Sequence, residues 1–304
     1  MSGSTIVARI KRRSPLPYLL LAPTFVLLVV LTGYPLVRLL VMSTQKFGRA
    51  QVFGAPPEFV GLQNYRTVLT DPQFWAVLGR SAIFCVVNVA VTMVLGMLVA
   101  LLLTKLGKVM RLTVTLGLLL AWAMPALTAI VIWGWMFDTQ YGVLNWLLSA
   151  AGMNMLGHSW LIQPISFFFV ATVVITWQSI PFVAFTLYAG LTQVPEELLE
   201  ASGLDGASAF QRFRLITYPL LRPVVLLLTM LSVIWDLRVF TQIFALQDAG
   251  GITAKTSTIG VYIYQVGVAQ GRFDTGSAIA VILVVIMLAV SFVYVRQVIQ
   301  EDVS

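Results

Sequence analysis

Residues 81–104 read SAIFCVVNVAVTMVLGMLVALLLT and contain no Asp, Glu, Lys or Arg. This run is longer than the about 20 apolar residues that cross a bilayer as a helix. Five further segments are apolar over a similar length, although the fifth must tolerate Asp236 and Arg238, so the sequence predicts an all-α membrane protein with six transmembrane helices. The predicted spans lie near residues 17–42, 76–104, 112–137, 164–188, 219–246 and 275–295.

The overall composition agrees with a membrane location. Of the 304 residues, 59% are hydrophobic and 10% are charged, whereas soluble domains carry about 25% charged residues. Six spans with their loops use most of the chain, so we expect a single transmembrane domain over residues 1–304. The only cysteine, Cys85, cannot form an internal disulfide.

The basic residues give the expected orientation. Lys and Arg collect in the loops that lie on the side of the N-terminus if that end is cytoplasmic, and cytoplasmic loops carry such an excess. We therefore expect both termini and the loop at residues 194–218 to be cytoplasmic. The first apolar run lacks a small-residue cleavage site and predicts a retained span. The basic residues are scattered over several loops, so we expect no nucleic-acid partner. The apolar spans contact membrane lipid.

Catalytic and nucleotide-binding patterns are missing from the sequence. The spacing from Gly271 to Gly276 approaches a phosphate-binding loop but lacks its lysine. One histidine, His158, and one cysteine make a His/Cys metal site implausible. Glu196 and Glu197 could suggest a carboxylate pair for acid–base catalysis. Adjacent helical residues point about 100° apart, however, so these two side chains do not converge. We predict a protein that is not an enzyme, with no metal and no cofactor of its own.

Residues 194–219 read VPEELLEASGLDGASAFQRFRLITYP and interrupt the apolar pattern. Acidic residues after a proline suit a helix N-terminus. We expect two short helices, with Gly203 and Gly206 at the turn and Asp205 capping the second helix. An interfacial helix on lipid usually carries basic residues, whereas the first half here is acidic. That charge favours a protein partner over lipid.

These residues resemble the cytoplasmic EAA loop of binding-protein-dependent ABC importer permeases. The matching positions are Glu200-Ala201-Ser202, Asp205-Gly206-Ala207, Phe213, Ile216 and Pro219. Ser202 replaces the usual second alanine, and Tyr218 replaces the leucine before the proline.

The resemblance extends over most of the chain and is strongest to the carbohydrate-type family of the maltose and glycerol-phosphate permeases. By overall similarity, and not by any single motif, the chain looks most like the first permease subunit of a trehalose importer. The further matching segments are Gly61–Tyr65, Asp71–Trp75, Tyr141–Asn145, Arg238–Phe240 and Phe273–Gly276.

The resemblance implies a multi-pass subunit of the bacterial plasma (inner) membrane that moves a sugar, such as the disaccharide trehalose, into the cytoplasm. Its implied partners are a second homologous permease, two ATP-binding subunits that hold ATP-Mg, and an extracytoplasmic sugar-binding protein that docks on the outer loops. Those loops are Ser43–Trp75, Asp138–Gln163 and Gln247–Asp274. The implied ATPase-coupling residues are Glu200, Ala201, Ser202, Gly203, Asp205, Gly206, Ala207 and Phe213.

Span five also suggests a sugar site. Ser232, Trp235, Asp236 and Val239 follow helical spacing, and an ionisable residue inside a span usually faces a cavity. The resemblance adds Gln178, Ser179 and Phe182 in span four, and Asp236 stands where the family has an amide.

Two alternatives stay open for the same residues. In the first, both residues are structural: Trp235 packs in the core and Asp236 forms a hydrogen bond to another helix. In the second, the protein is an ion-coupled secondary transporter that uses Asp236.

Overall fold

The computed structural model describes residues 16–303, and within that range the chain is helical apart from a small sheet and its loops. Strand β1, Gln45–Lys46, pairs antiparallel with β2, Glu58–Phe59, with Gln45 opposite Phe59. The helices are α1 Leu16–Leu28, α2 Tyr34–Ser43, α3 Arg49–Val52, α4 Gln63–Thr70, α5 Pro72–Lys105, α6 Lys108–Ala123, α7 Ala126–Met136 and α8 Val143–Ala150. They continue as α9 Pro164–Leu191, α10 Glu196–Leu204, α11 Ala209–Arg212, α12 Tyr218–Leu237, α13 Thr241–Asp248, α14 Thr253–Thr256, α15 Ile259–Tyr264 and α16 Phe273–Val303. Short π-helical turns cover Val29–Gly33, Phe213–Thr217 and Gln265–Ala269.

Five helical segments are long and apolar enough to cross a membrane, and α6 with α7 makes a sixth if that bent pair is one span. The five are Leu19–Ser43, Pro72–Lys105, Pro164–Leu191, Ala209–Asp248 and Phe273–Gln297. This architecture confirms the predicted all-α membrane fold.

The third predicted span, 112–137, corresponds to two helices, α6 and α7, with a sharp bend between them. Helices α6 and α7 meet at an angle of 104°. Met124 between them is extended, with φ −71° and ψ 128°, which is the conformation that a residue before proline prefers. Pro125 also lacks the N–H that a continuous helix needs.

The fifth predicted span, 219–246, is interrupted as well. Helix α12 ends at Leu237 and α13 begins at Thr241. The carbonyl of Val239 in the gap accepts a hydrogen bond from Thr258 Oγ1 at 3.4 Å. A Cβ on Gly260 would lie 2.9 Å from the same carbonyl oxygen. A segment that is distant in the sequence therefore packs closely against the break between α12 and α13.

That distant segment corrects the expectation of a wide outer loop at Gln247–Asp274. Helix α15 lies inside the molecule, where Ile259 and Val261 are fully buried. The backbone N–H of Ile259 donates to Ser81 Oγ on α5 at 2.7 Å. Much of this loop therefore belongs to the packed scaffold.

Helices α5 and α9 run parallel at the centre of the molecule. The rings of Phe84 and Phe168 lie 5.1 Å apart near their N-terminal halves. Further along, a Cβ on Gly96 would lie 2.5 Å from Val183 Cγ1. Small residues allow this close approach between membrane helices, so Gly96 sets the spacing of the central pair.

Two of the segments that carry the resemblance, Gly61–Tyr65 and Asp71–Trp75, make hydrogen bonds that join elements at the end of the molecule where α5 and α9 begin. Asn64 donates to the carbonyls of Ser43 and Gln45 at 3.0 and 2.8 Å. Asp71 caps α5 through the N–H of Gln73 at 2.9 Å. Its other oxygen accepts a hydrogen bond from Tyr262 at 3.1 Å.

Candidate functional site

Residues 196–212, which we call the hairpin, form two short helices joined by a turn. Gly206 has φ +81°, a conformation that non-glycine residues adopt only at a cost. Helix α11 is capped by Ser208, whose Oγ accepts from the N–H of Gln211 while the Gln211 side chain accepts from the N–H of Ser208.

This geometry corrects two expectations. Asp205 does not cap α11 but ends α10, with its N–H bonded to the carbonyl of Ala201 at 3.1 Å. The reciprocal box at Ser208 satisfies two free donors at once, which explains why it takes the cap position. Gly203 lies inside α10 and not in the turn, so only Gly206 needs to be glycine for the backbone to reverse.

The remaining residues of the predicted coupling set differ in exposure. Glu200, Ala201, Asp205 and Gly206 are exposed, whereas Ser202 and Ala207 are half-buried. The carbonyl of Ser202 accepts from the N–H of Ala207 at 3.0 Å and closes the turn. Phe213 is half-buried, with its ring 6.3 Å from that of Tyr218.

The hairpin also exposes large apolar side chains. Leu204 is 91% exposed and is followed by Asp205, and Phe210 is 69% exposed at the start of the apolar segment Ala209–Asp248. Exposed apolar side chains that group into a patch mark an interaction site, and these two large side chains lie six residues apart in the sequence. The hairpin therefore has the character of a protein-docking surface.

The predicted sugar-contacting residues divide into two groups. Phe182 on α9 and Trp235 on α12 come together, with ring centroids 5.1 Å apart. Trp235 is 45% exposed, but Ser232 and Asp236 are buried. Val239 lies beyond the end of α12, in the core cluster that also contains Ile243. It therefore does not share a helical face with Ser232, Trp235 and Asp236.

Asp236 has an unusual environment. The residue is only 9% exposed, and within residues 19–297, whose side chains the structure describes, no side chain or backbone N–H donates a hydrogen bond to its carboxylate. The adjacent α5 is close, because Cys85 Sγ lies 3.7 Å from the carbonyl of Val233, one turn earlier on α12. A buried carboxylate without a partner is costly and is available to a ligand.

Gln178 occupies a junction between helices. Its Nε2 donates to the carbonyl of Met124 at 3.1 Å, at the bend between α6 and α7. Its Oε1 accepts from Gln242 Nε2 at 3.4 Å. The amide thus ties α9 to the bend and to α13, while the half-buried Ser179 lies on the next position of α9.

Sequence reasoning missed Asn88 on α5. It is completely buried, and its Oδ1 has no hydrogen-bond partner while its Nδ2 donates to the carbonyl of Phe84 at 2.9 Å. An amide within a charge-free run was the signal, because polar side chains inside spans carry a cost. No cluster of three His, Cys, Asp or Glu side chains occurs in the part of the chain that the structure describes.

Comparison with known proteins places these features in a family. The family model described as "Binding-protein-dependent transport system inner membrane component" matches residues 92–304. The chain belongs to this family. This inner membrane component is 43% identical over 287 residues to the diacetylchitobiose uptake system permease protein DasB of Streptomyces coelicolor, covering 94% of this chain and 87% of that protein. It is 34% identical over 290 residues to the trehalose/maltose transport system permease protein MalF of Thermococcus litoralis, covering 94% of both.

Solved structures share the fold of this membrane component. A bacterial ABC transporter involved in import of the acidic polysaccharide alginate gives a TM-score of 0.76 at 22% identity, covering 92% of this chain and 95% of that chain. The alginate transporter in complex with its pentasaccharide-bound periplasmic protein gives 0.78 at 20% identity, covering 92% of each chain.

Proposed function

We propose that this chain is the permease subunit of an ATP-driven ABC importer that moves a sugar of disaccharide size into the cytoplasm. The observation that carries the proposal is the hairpin, which follows the span Pro164–Leu191 and exposes Leu204 next to Asp205, and Phe210 where the next apolar segment begins. The sequence of this membrane component contains no phosphate-binding loop. A separate ATPase that docks on the hairpin supplies the energy for transport in this proposal.

The proposed complex contains a second homologous permease, two ATP-binding subunits that hold ATP-Mg, and an extracytoplasmic binding protein. The hairpin and both termini face the cytoplasm of a bacterial cell in this arrangement. The residues proposed to engage the ATPase are Glu200, Ala201, Ser202, Gly203, Asp205, Gly206, Ala207 and Phe213, together with the exposed Leu204 and Phe210.

The substrate proposal rests on the relatives and on the chemistry of α9 and α12. Relatives are named for diacetylchitobiose and for trehalose/maltose, which are two-ring sugars. Trp235 and Phe182 offer aromatic faces to the apolar side of a sugar ring, and the unpaired carboxylate of Asp236 accepts hydroxyl hydrogen bonds. Both named substrates fit this chemistry, so trehalose itself stays a prediction.

Co-purification tests the hairpin's role. The double variant Leu204→Ser/Phe210→Ser should lose the ATP-binding subunits, because it removes the apolar side chains of the docking surface. The matched control is Leu156→Ser/Tyr141→Ser, which changes a leucine that is 70% exposed and an aromatic residue that is 78% exposed far from the hairpin.

Mass spectrometry of the purified complexes should find a stoichiometric ATPase with the control and a depleted one with the hairpin variant. Equal ATPase recovery from both variants, or no ATPase with the native chain, would refute the assignment. The ion-coupled alternative that uses Asp236 receives no support from the family.

A further inference from the structure

An elongated apolar groove of about 800 Å³ lies between α5 and α9. This volume falls within the range of small-ligand sites, about 300–1,000 Å³. Along α5 the groove extends from Arg80 to Leu95, which corresponds to about 22 Å at 1.5 Å per residue. Its walls are aliphatic and aromatic side chains such as Val87, Val91 and Phe168.

The two charged residues of the groove are both basic and both stand at one end. Arg80 and Lys255 line that end, and the groove contains no Asp or Glu. Arg80 Nη1 donates to the carbonyl of Ala254 at 3.2 Å, which holds its guanidinium next to the residue that precedes Lys255. Two neighbouring cations without an acidic partner in the groove form a site for an anion.

The depth of these residues in the bilayer is set by the sequence. Residues 81–104 carry no charge, and a helix of this length exceeds the about 30 Å thickness of the hydrocarbon core. Arg80 directly precedes this charge-free run, eight residues after α5 begins at Pro72, so its guanidinium can reach the level of lipid head groups. From there the groove descends into the hydrocarbon region.

We propose that this groove binds a phospholipid with a net negative head group, whose phosphate contacts Arg80 and Lys255 and whose acyl chain lies along Val87 and Val91. An apolar channel with a basic entrance matches both parts of such a lipid. Arg and Lys side chains bind phosphate oxygens through charge-assisted hydrogen bonds, which suits a phosphate at the entrance of the groove. The proposal concerns a surface away from the hairpin and stands whether or not the transported substrate is a sugar.

The test uses the whole purified complex in nanodiscs that contain equal phosphatidylglycerol and phosphatidylcholine, with mass spectrometry of the lipid retained after detergent washing. The native chain should retain phosphatidylglycerol preferentially. Arg80→Gln/Lys255→Gln should reduce that retention on the order of tenfold through loss of charge-assisted hydrogen bonds. Val91→Trp should reduce it by filling the groove without changing charge.

The matched control is Lys46→Gln/Arg66→Gln, which removes two exposed basic residues that do not line the groove. It should retain lipid as the native chain does. Equal retention in groove and control variants, or no preference for phosphatidylglycerol, would overturn the proposal. So would displacement of the lipid by inorganic phosphate alone, or a cross-link from Val87→Cys to a second permease in native membranes, since the groove would then hold a free anion or a protein helix.

Discussion

At the residue scale, Asp236 is the side chain whose environment most needs an explanation. Its carboxylate is buried between helices α5 and α12, and the described side chains of residues 19–297 give it no hydrogen-bond partner. Natural proteins rarely keep an unpaired carboxylate in a span unless it has a function. Sugar hydroxyls would provide the missing donors during passage.

Replacing this carboxylate by an amide separates function from structure. Asp236→Asn keeps the volume but removes the charge, so we expect sugar uptake to fall by roughly tenfold, because a hydrogen bond to a charged group contributes about 1–1.5 kcal/mol more than a neutral one. The thermal stability of the complex should rise, because the buried charge is removed. Unchanged uptake together with lower stability would instead make Asp236 a structural residue.

Trp235 gives a second residue-scale prediction. Its ring is 45% exposed and lies 5.1 Å from that of Phe182, so it can stack on a sugar ring. Trp235→Ala should reduce uptake severalfold, whereas Trp235→Phe should retain most of it. Phe292→Ala, at a position 68% exposed on α16, is the control. Transport equal to the native level in Trp235→Ala would exclude a substrate contact.

At the scale of elements, the turn of the hairpin depends on one backbone conformation. Gly206 has φ +81°, and a residue with a Cβ pays about 1–2 kcal/mol there. Gly206→Ala should therefore weaken ATPase binding and uptake, while Gly206→Asn should retain both better, because asparagine tolerates this region. Equal ATPase recovery and uptake in the two variants would show that the turn does not need this conformation.

The elements also show what the sequence can and cannot predict. The membrane spans and the hairpin follow from apolar runs and from turn residues. The bend at Met124–Pro125 was visible in the proline, and the cap of α11 was visible in the Ser208-x-x-Gln211 box. Both features are local in the sequence. The long apolar run predicts one continuous span across Pro125, and Asp205 is a second residue type that can cap a helix, so each local pattern allows two interpretations.

Other features depend on contacts between distant residues. The break after Leu237 is packed against Thr258 and Gly260, and no local pattern records that contact. The same holds for the junction at Gln178, whose amide bonds reach Met124 and Gln242. The burial of the proposed sugar-contacting residues, with Trp235 exposed and Ser232 and Asp236 buried, likewise depends on such distant contacts and was not predictable from the sequence.

At the scale of the whole molecule, the proposed topology makes a direct prediction. In a Cys85→Ala background, Ser149→Cys should react with a membrane-impermeant thiol reagent added outside, since residues 140–163 are proposed to face out. Ser208→Cys in the hairpin should react only after the membrane is opened. Labelling of Ser208→Cys from outside, with Ser149→Cys protected, would reverse the orientation.

The central claim is that this chain is the permease subunit of an importer whose energy comes from a separate ATPase. Uptake of a labelled disaccharide by proteoliposomes containing the purified complex tests it most directly. Uptake should require both ATP at the hairpin side and the binding protein at the other side, and it should stop when a non-hydrolysable analogue replaces ATP. Uptake that persists without ATP and follows an imposed proton gradient would contradict the account.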